Sequence, residues 1–488
     1  MTEPVTAADL RAESISGRQQ RVVAIVYIAV MFMAIMDTTI VNVALPKLAR
    51  DYHVRPDSVG IVSIAYLVSL TVFIPASGWW GDWIGGRRAL LAAVGIFTVA
   101  SALCGLSANL EELVVCRVMQ GMGGAVMTPV GLAMLFRAYP PAERVRISGV
   151  LALCTALAPA LGPILGGLFT TCLSWRLVFF VNVPIGVAVF AFGAMALADH
   201  RPAHPGRLDV GSLALSGFGL GSLMVGISEG PSHGWSSLPI LFALVLGVGL
   251  LAALVIVELR TAHPLLDLRL FRNRLFAAST AIYGLGSAAY LGALFLVALF
   301  FQDELGFSAM RSGFATLPSA LGVMAGGQIV TRVLYARVGP RRLAGAGLLG
   351  VSMMLILMAQ MGLEVSMWRI GAVMFGLGFS ISFAFIPAQT ASMATITKPQ
   401  TGRASSIFNA GKQLGGAIGV SLLSTILALG HPVANLAGHA TTAYRSAFLA
   451  AAVAAFLGAL MSTRIRDSDA VVTMTRRPRQ QGTKPSSA

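Results

Sequence analysis

Fourteen apolar segments, each long enough to cross a bilayer, leave this chain very few folds to adopt. They run over residues 22–45, 59–78, 89–108, 112–135, 146–170, 177–198, 209–228, 237–257, 276–300, 309–331, 343–362, 368–392, 402–428 and 443–462. In hydrocarbon no water meets an exposed amide, so backbone hydrogen bonds must close within a segment or around a barrel. Segments of about twenty residues close them as helices; a barrel strand needs only about ten. The predicted fold class is therefore an all-α membrane protein. The composition agrees: 56% of residues are hydrophobic and 11% charged, against about 25% charged in a soluble domain.

An even number of spans puts both ends on one side. The positive charges say which side. With the N-terminus inside, the cytoplasmic segments hold roughly three quarters of the 35 Lys and Arg, loop after loop, as the positive-inside rule requires. A multi-pass protein of the cytoplasmic membrane is expected, with both termini cytoplasmic. The net charge of +15 thus encodes topology. Nucleic-acid binding would need the basic residues gathered on one soluble face. The first twenty residues are polar and the first apolar run is too long for a signal peptide's apolar region, so no cleavable leader is expected. Cys104, Cys116, Cys154 and Cys172 lie mostly within spans, which argues against a disulfide framework or a metal site.

The longest inner loops, 199–208 and 258–275, bracket the seventh and eighth spans. They divide the chain into an N-terminal tail (1–20), a six-helix bundle (21–199), a linker carrying spans 7 and 8 (200–258), a second six-helix bundle (259–463) and a basic tail (464–488). The last includes Arg476, Arg477 and Arg479 and suits a solvated tail or a contact with anionic lipid headgroups. The halves echo one another. Loop 2–3, Gly78 to Arg88, is echoed by loop 10–11 with Arg332, Arg337, Gly339, Pro340, Arg341 and Arg342, and Gly166-Gly167 in span 5 by Gly415-Gly416 in span 13. Repeated halves are how many transporters build a central site with alternating access.

One residue breaks the apolar pattern of span 1. Asp37 sits nine residues before Pro46, about 13 Å from the outer end. A carboxylate at that depth costs about 2.5–3.5 kcal/mol on insertion scales and marks a functional position. Arg117 lies about 9 Å from the same end of span 4, so the two reach similar depths and can pair. Two readings follow: a proton carrier whose water access alternates, or a permanent structural ion pair. With no second deep carboxylate, a dication would have Asp37 alone to meet.

Several motifs resemble the major facilitator superfamily, and the span count narrows the resemblance to its fourteen-span drug:proton antiporters. It covers about residues 20–463. Asn42-Val43-Ala44-Leu45-Pro46 looks like the branch signature in span 1. Loop 2–3 is similar to the superfamily's gating motif at Gly78, Asp82, Gly85, Arg87 and Arg88, and departs from it at Trp80, Trp83 and Gly86. Trp83 replaces a charge that the family uses in its latch. Span 4 carries Arg117-x-x-Gln120-Gly121-x-Gly123. Span 5 resembles the antiporter motif at Gly149, Gly162, Pro163, Gly166 and Gly167, with Ala158 in place of one Gly. Trp175-Arg176 and Asn182-Val183-Pro184-Ile185-Gly186 look typical of the same branch.

The resemblance implies two six-helix bundles with two intervening helices, driven by the proton gradient with no cofactor. It implies proton coupling by Asp37 with Arg117. It also implies a latch in which Asp82 meets the positive end of a second-half helix near span 13, and a tight span 5 that favours exchange. The candidate substrate contacts are Asn42, Tyr66, Gln120, Tyr283, Tyr290, Phe385, Gln389 and Lys412. Lys412, near mid-membrane, either faces the cavity and attracts an acidic substrate group or snorkels toward water. Phe385 and Gln389 are four apart and share a helix face. The expected substrates are small lipophilic compounds such as antimicrobials; an endogenous metabolite, lipid or siderophore would use the same machinery. The loop between spans 13 and 14 is short, so no adaptor protein is expected. An enzyme would need clustered His, Asp or Glu, and the 7 His are dispersed. A sensor or scaffold would have no use for Asp37 at mid-span.

Overall fold

The computed structural model describes residues 17–54, 58–199, 209–261, 264–362, 365–430 and 440–474. Most of the N-terminal tail, loop 200–208, the connection 431–439 and the end of the basic tail, with Arg476, Arg477 and Arg479, lie outside the described residues.

The described residues contain no strand and form fourteen long helices. The first bundle holds α1 (Gly17–Asp51), α2 (Ile61–Trp83), α3 (Gly86–Leu106), α4 (Leu110–Ala138), α5 (Pro141–Cys172) and α6 (Leu177–Ala196). Two further helices follow, α7 (Val210–His233) and α8 (Leu238–Arg260). The second bundle holds α9 (Arg274–Leu299), α10 (Ala309–Ile329, continued by Val330–Leu334 and Tyr335–Val338), α11 (Pro340–Ala359), α12 (Met367–Ser392), α13 (Thr401–Gly430) and α14 (Ala440–Ser462). Thirteen are long and apolar enough to cross a membrane. In the fourteenth, α5, the apolar stretch counted over the described residues is Leu157–Cys172, within a helix of 32 residues. Its first turns carry Glu143, Arg144 and Arg146 and stand at the basic end of the bundle.

Local chemistry sets the helix starts. Asn109 accepts a hydrogen bond from the Glu112 amide at 2.8 Å while Glu112 reaches back to the Ala108 amide at 2.9 Å, a reciprocal cap that opens α4. Asp209, Asn273 and Ser308 open α7, α9 and α10, each accepting from a first-turn backbone amide. Gly85 and Gly339 precede α3 and α11 with φ of 88° and 84°, which β-carbon-bearing residues rarely adopt. They occupy equivalent places in the two halves.

The repeat extends to packing. In the first bundle α2 packs on α4, α1 on α5, α3 on α4 and on α6, and α1 on α6. In the second, α10 packs on α12, α9 on α13, α11 on α12 and on α14, and α9 on α14. Each pair in one half has its counterpart eight helices on. The halves meet along α5–α10 and α2–α13, which are also equivalent pairs. α7 lies against both α2 and α13, and α8 packs on α7.

Candidate functional site

Asp37 is fully buried at the centre of the first bundle. Its Oδ2 accepts from an Arg117 guanidinium nitrogen at 2.6 Å. Its Oδ1 accepts from Gln120 Nε2 at 2.8 Å and from Asn182 Nδ2 at 2.9 Å. Five helices converge here: α1 gives the acid, α4 gives Arg117 and Gln120, α6 gives Asn182, α3 gives Ser101, and α2 gives Tyr66. Ser101 Oγ receives both amides at 3.2 Å and donates to the Phe179 carbonyl at 2.9 Å. Arg117 is 1% exposed. It also donates to Gln120 Oε1 at 2.7 Å and to the Val62 carbonyl at 3.3 Å, and it lies over the Tyr66 ring at 4.3 Å. Two charges out of water are tolerated only when paired and fully hydrogen-bonded, and here both conditions hold.

Beside this cluster, between the two halves, lies a cavity of about 270 Å³. Tyr27, Thr38, Tyr66 and Thr128 line it from the first bundle. Tyr283, Ser287, Tyr290, Phe385, Gln389, Asn409, Lys412 and Gln413 line it from the second. Tyr283 stacks on Phe385 with ring centroids 4.2 Å apart and planes 13° from parallel. Tyr290 and Phe408 meet this pair edge-on. The cavity thus gathers Tyr66, Tyr283, Tyr290, Phe385, Gln389 and Lys412, and Lys412 faces it rather than snorkelling away.

Two candidate contacts lie elsewhere. Asn42 is exposed and accepts from Ser63 Oγ at 2.9 Å. It stands five residues past Asp37, about 140° further round α1. Gln120 is one turn from Arg117 and turns with it into the carboxylate cluster. Asp37 itself does not line the cavity. Tyr66 belongs to both places: one edge borders the cavity and its face covers Arg117. Its hydroxyl is buried without a hydrogen-bond partner.

At the basic end the halves are held together. Asp82 accepts from Arg137 at 3.0 Å and lies beside Gly402, in the first turn of α13, where a β-carbon would stand 3.4 Å from its Oδ1. Gly78 abuts the Gly402 backbone so closely that a β-carbon there would come within 3.1 Å of it. Ser77 and Ser406 hydroxyls share a hydrogen bond at 2.9 Å, and Ser405 donates to the Pro129 carbonyl at 2.8 Å. Arg144 donates to the Phe136 carbonyl at 2.8 Å and to the Met393 carbonyl at 2.7 Å, so one guanidinium caps the C-terminal ends of α4 and α12 across the interface. Gly85, Arg87 and Arg88 act within the first bundle instead. Arg87 donates to the Ala194 carbonyl and Arg88 pairs with Asp199 at 3.1 Å, both at the end of α6. Trp83 is exposed and stacks on Trp79; the positive charge beside Asp82 comes from Arg137.

The α5 glycines pack as a close seam. A β-carbon on Gly162 would stand 2.1 Å from Thr39 Oγ1, one on Gly166 would stand 3.0 Å from the Ile40 carbonyl, and one on Gly149 would stand 2.5 Å from Thr331. Gly167 has open space in front of it. The Pro163 side chain lies outside the described residues. The first two contacts press α5 against α1 within one turn of Asp37.

Among the residues that sequence reasoning did not assign a role are Asn182, Ser101, Arg137 and Arg144. Asn182 carried a usable signal, a polar amide inside an apolar run two residues before Pro184. Arg144 carried none, because a basic residue in an inner loop reads as topology.

A profile described as the Major Facilitator Superfamily matches residues 27–420. The chain is 31% identical over 401 residues to a multidrug resistance protein B homolog of Mycobacterium tuberculosis, covering 81% of this chain and 74% of that one. It is 32% identical over 437 residues to the tetracenomycin C resistance and export protein of Streptomyces glaucescens, covering 87% and 79%. It is 30% identical over 451 residues to a putative multidrug resistance protein MdtD of Escherichia coli, covering 92% and 95%. Among solved structures, the human organic anion transporter MFSD10 superposes with a TM-score of 0.65 over 91% of this chain and 99% of that one; at 15% identity this likeness concerns the fold alone.

Proposed function

We propose, since this chain belongs to the major facilitator superfamily, that it is a proton-coupled antiporter that exports small lipophilic compounds across the cytoplasmic membrane. The observation that carries this reading is the separation of two sites by one side chain. A fully buried carboxylate with three hydrogen-bond donors stands behind Tyr66, and a substrate-sized, aromatic-lined cavity stands in front of it. Exchange requires that proton and substrate be held alternately, and a shared wall lets the occupancy of one site bear on the other. Relatives named for multidrug resistance and for tetracenomycin export support a drug-like substrate. Export of an endogenous metabolite would use the same parts.

In this reading the basic end is cytoplasmic and is closed in the structure. The cycle would open it by parting α2 and α4 from α13, and α5 from α12, as the cavity turns inward. Protons are the driving ligand. The test is a drug-susceptibility panel in a pump-deficient cell, followed by purified protein in liposomes with an imposed pH gradient. Gradient-dependent export of a resisted compound, with proton movement in the opposite sense, is expected. Export that ignores the gradient would end the reading.

Two mutations test its parts. Asp82→Asn removes the charge that meets Arg137 and the first turn of α13. Transport should fall on the order of ten-fold, equivalent to about 1.4 kcal/mol, with normal amounts of folded protein in the membrane. Trp83→Arg should preserve or strengthen activity. Unchanged efflux in Asp82→Asn would reduce this loop to a topology signal.

Tyr66→Phe deletes a hydroxyl that has no partner, so it should fold and transport like the parent. Tyr66→Ala removes the wall and should let protons cross without substrate. Proton flux into liposomes measured without drug separates the two variants; equal, low leak in both would show that the ring is not the barrier.

A further inference from the structure

Among the described residues Lys412 is the cavity's one charged residue, and no Asp or Glu lines the space with it. Among the described residues no carboxylate pairs with its ammonium, whereas the other deep basic residue, Arg117, is matched by Asp37 at 2.6 Å. The cavity floor is equally particular. Phe408 and Asn409 stand four and three residues before Lys412 on α13, so all three share one face within a turn of helix. Phe408 meets Tyr283 at 4.8 Å, and Tyr283 lies flat on Phe385. The cation therefore stands about one helical turn from an aromatic slab, with the amides of Asn409, Gln413 and Gln389 in the same lining.

An unpaired ammonium in a mostly apolar cavity is costly until an anion joins it, and a charge-assisted bond there is stronger than in water. A cationic ligand would meet this charge with no acid to offset it, because Asp37 is walled off behind Tyr66 and already engaged. We infer that the cavity selects amphipathic aromatic acids, planar bodies of roughly two or three fused rings bearing a single ionised carboxylate or phenolate, with Lys412 as the residue that sets the charge preference. This rests on the reading that the cavity is the transport site.

The test uses three matched fluorescent probes that differ in charge alone: 9-anthracenecarboxylate, 9-anthracenemethanol and 9-anthracenemethylammonium. Equilibrium binding to the purified full chain, with no gradient present, should rank them in that order, the anion at least about ten-fold tighter than the neutral probe. Lys412→Arg should keep the order, and Lys412→Gln should bring the anion to within about two-fold of the neutral probe. Equal binding of anion and neutral probe by the parent, tighter binding of the cation, no binding of any probe, or a preference that survives Lys412→Gln would each overturn the inference. Transport separates it from the broader reading. If the anion binds through Lys412 but is not moved by a pH gradient, the antiporter reading fails and the charge preference stands. If other compounds are exported through Asp37 while binding shows no preference for the anion, the inference fails alone.

Discussion

Asp37→Asn is expected to reduce gradient-driven export to the rate of empty liposomes while leaving a folded protein. Asn has the same shape and can rotate its amide to suit Gln120 and Asn182, but it cannot take up or release a proton. It copies one state of the proposed cycle, the one in which the carboxyl is neutral and Arg117 has lost its counter-charge. Arg117 survives that state because it keeps Gln120 Oε1, the Val62 carbonyl and the Tyr66 face. Substrate-induced proton release should vanish as well, while the probes of the cavity should still bind. Asp37→Glu should retain part of the activity, since it keeps a titratable group in a site with little room for another methylene. The measurement is uptake into liposomes under an imposed pH gradient. Accumulation by Asp37→Asn at the parent rate would place proton coupling elsewhere and leave Asp37 a structural role.

Arg117→Ala should produce the largest loss of stability. It strips the buried carboxylate of its charge partner and leaves a void where the guanidinium lay between Tyr66 and Phe179. Breaking a buried pair in this way costs about 3–5 kcal/mol, mainly for the charge left behind. The double variant Asp37→Asn/Arg117→Ala removes that charge and should recover most of the loss, so the two effects should be far from additive. Thermal unfolding of the purified variants measures both. If Arg117→Ala unfolds like the parent, or the double variant is the sum of the singles, the pair does not act as one charge unit. The double variant should remain inactive in export, because stability returns without a proton carrier.

The sequence carried much of this site, for physical reasons that can be named. A carboxylate and a guanidinium in apolar runs are costly, so they stand out, and the fixed rise of a helix converts their positions into matching depths. The structure joins them at 2.6 Å. The aromatic residues of α9 and α12 were legible as candidates because membrane cavities need few residue types. Rotation about each helix was not legible. Asn42 and Gln120 belong to conspicuous motifs, yet one points away from the cavity and the other into the carboxylate cluster. Asn182 stood out as an amide in an apolar run, but its partner was not legible, because that depends on α6 coming alongside α3, a tertiary fact with no periodic signature. Gly78 and Asp82 stand at the interface between halves and Arg87 and Arg88 do not, although all four share one motif; which side of a turn faces the partner bundle is decided by packing.

The position of α7 bears on how a bilayer-dissolved compound reaches the cavity. Its glycine face lies against α2, where β-carbons on Gly217 and Gly221 would stand 3.2 and 3.0 Å from Val72, and its far end holds α13 through Ser421, which donates to the Ile227 carbonyl. The helix therefore plugs the crevice where the two bundles meet on that flank. On the opposite flank the two bundles pack directly on one another through α5 and α10, with Gly149 against Thr331. A compound dissolved in the bilayer would therefore meet a third helix on the α2–α13 flank, where the wall is built by more than the two bundles.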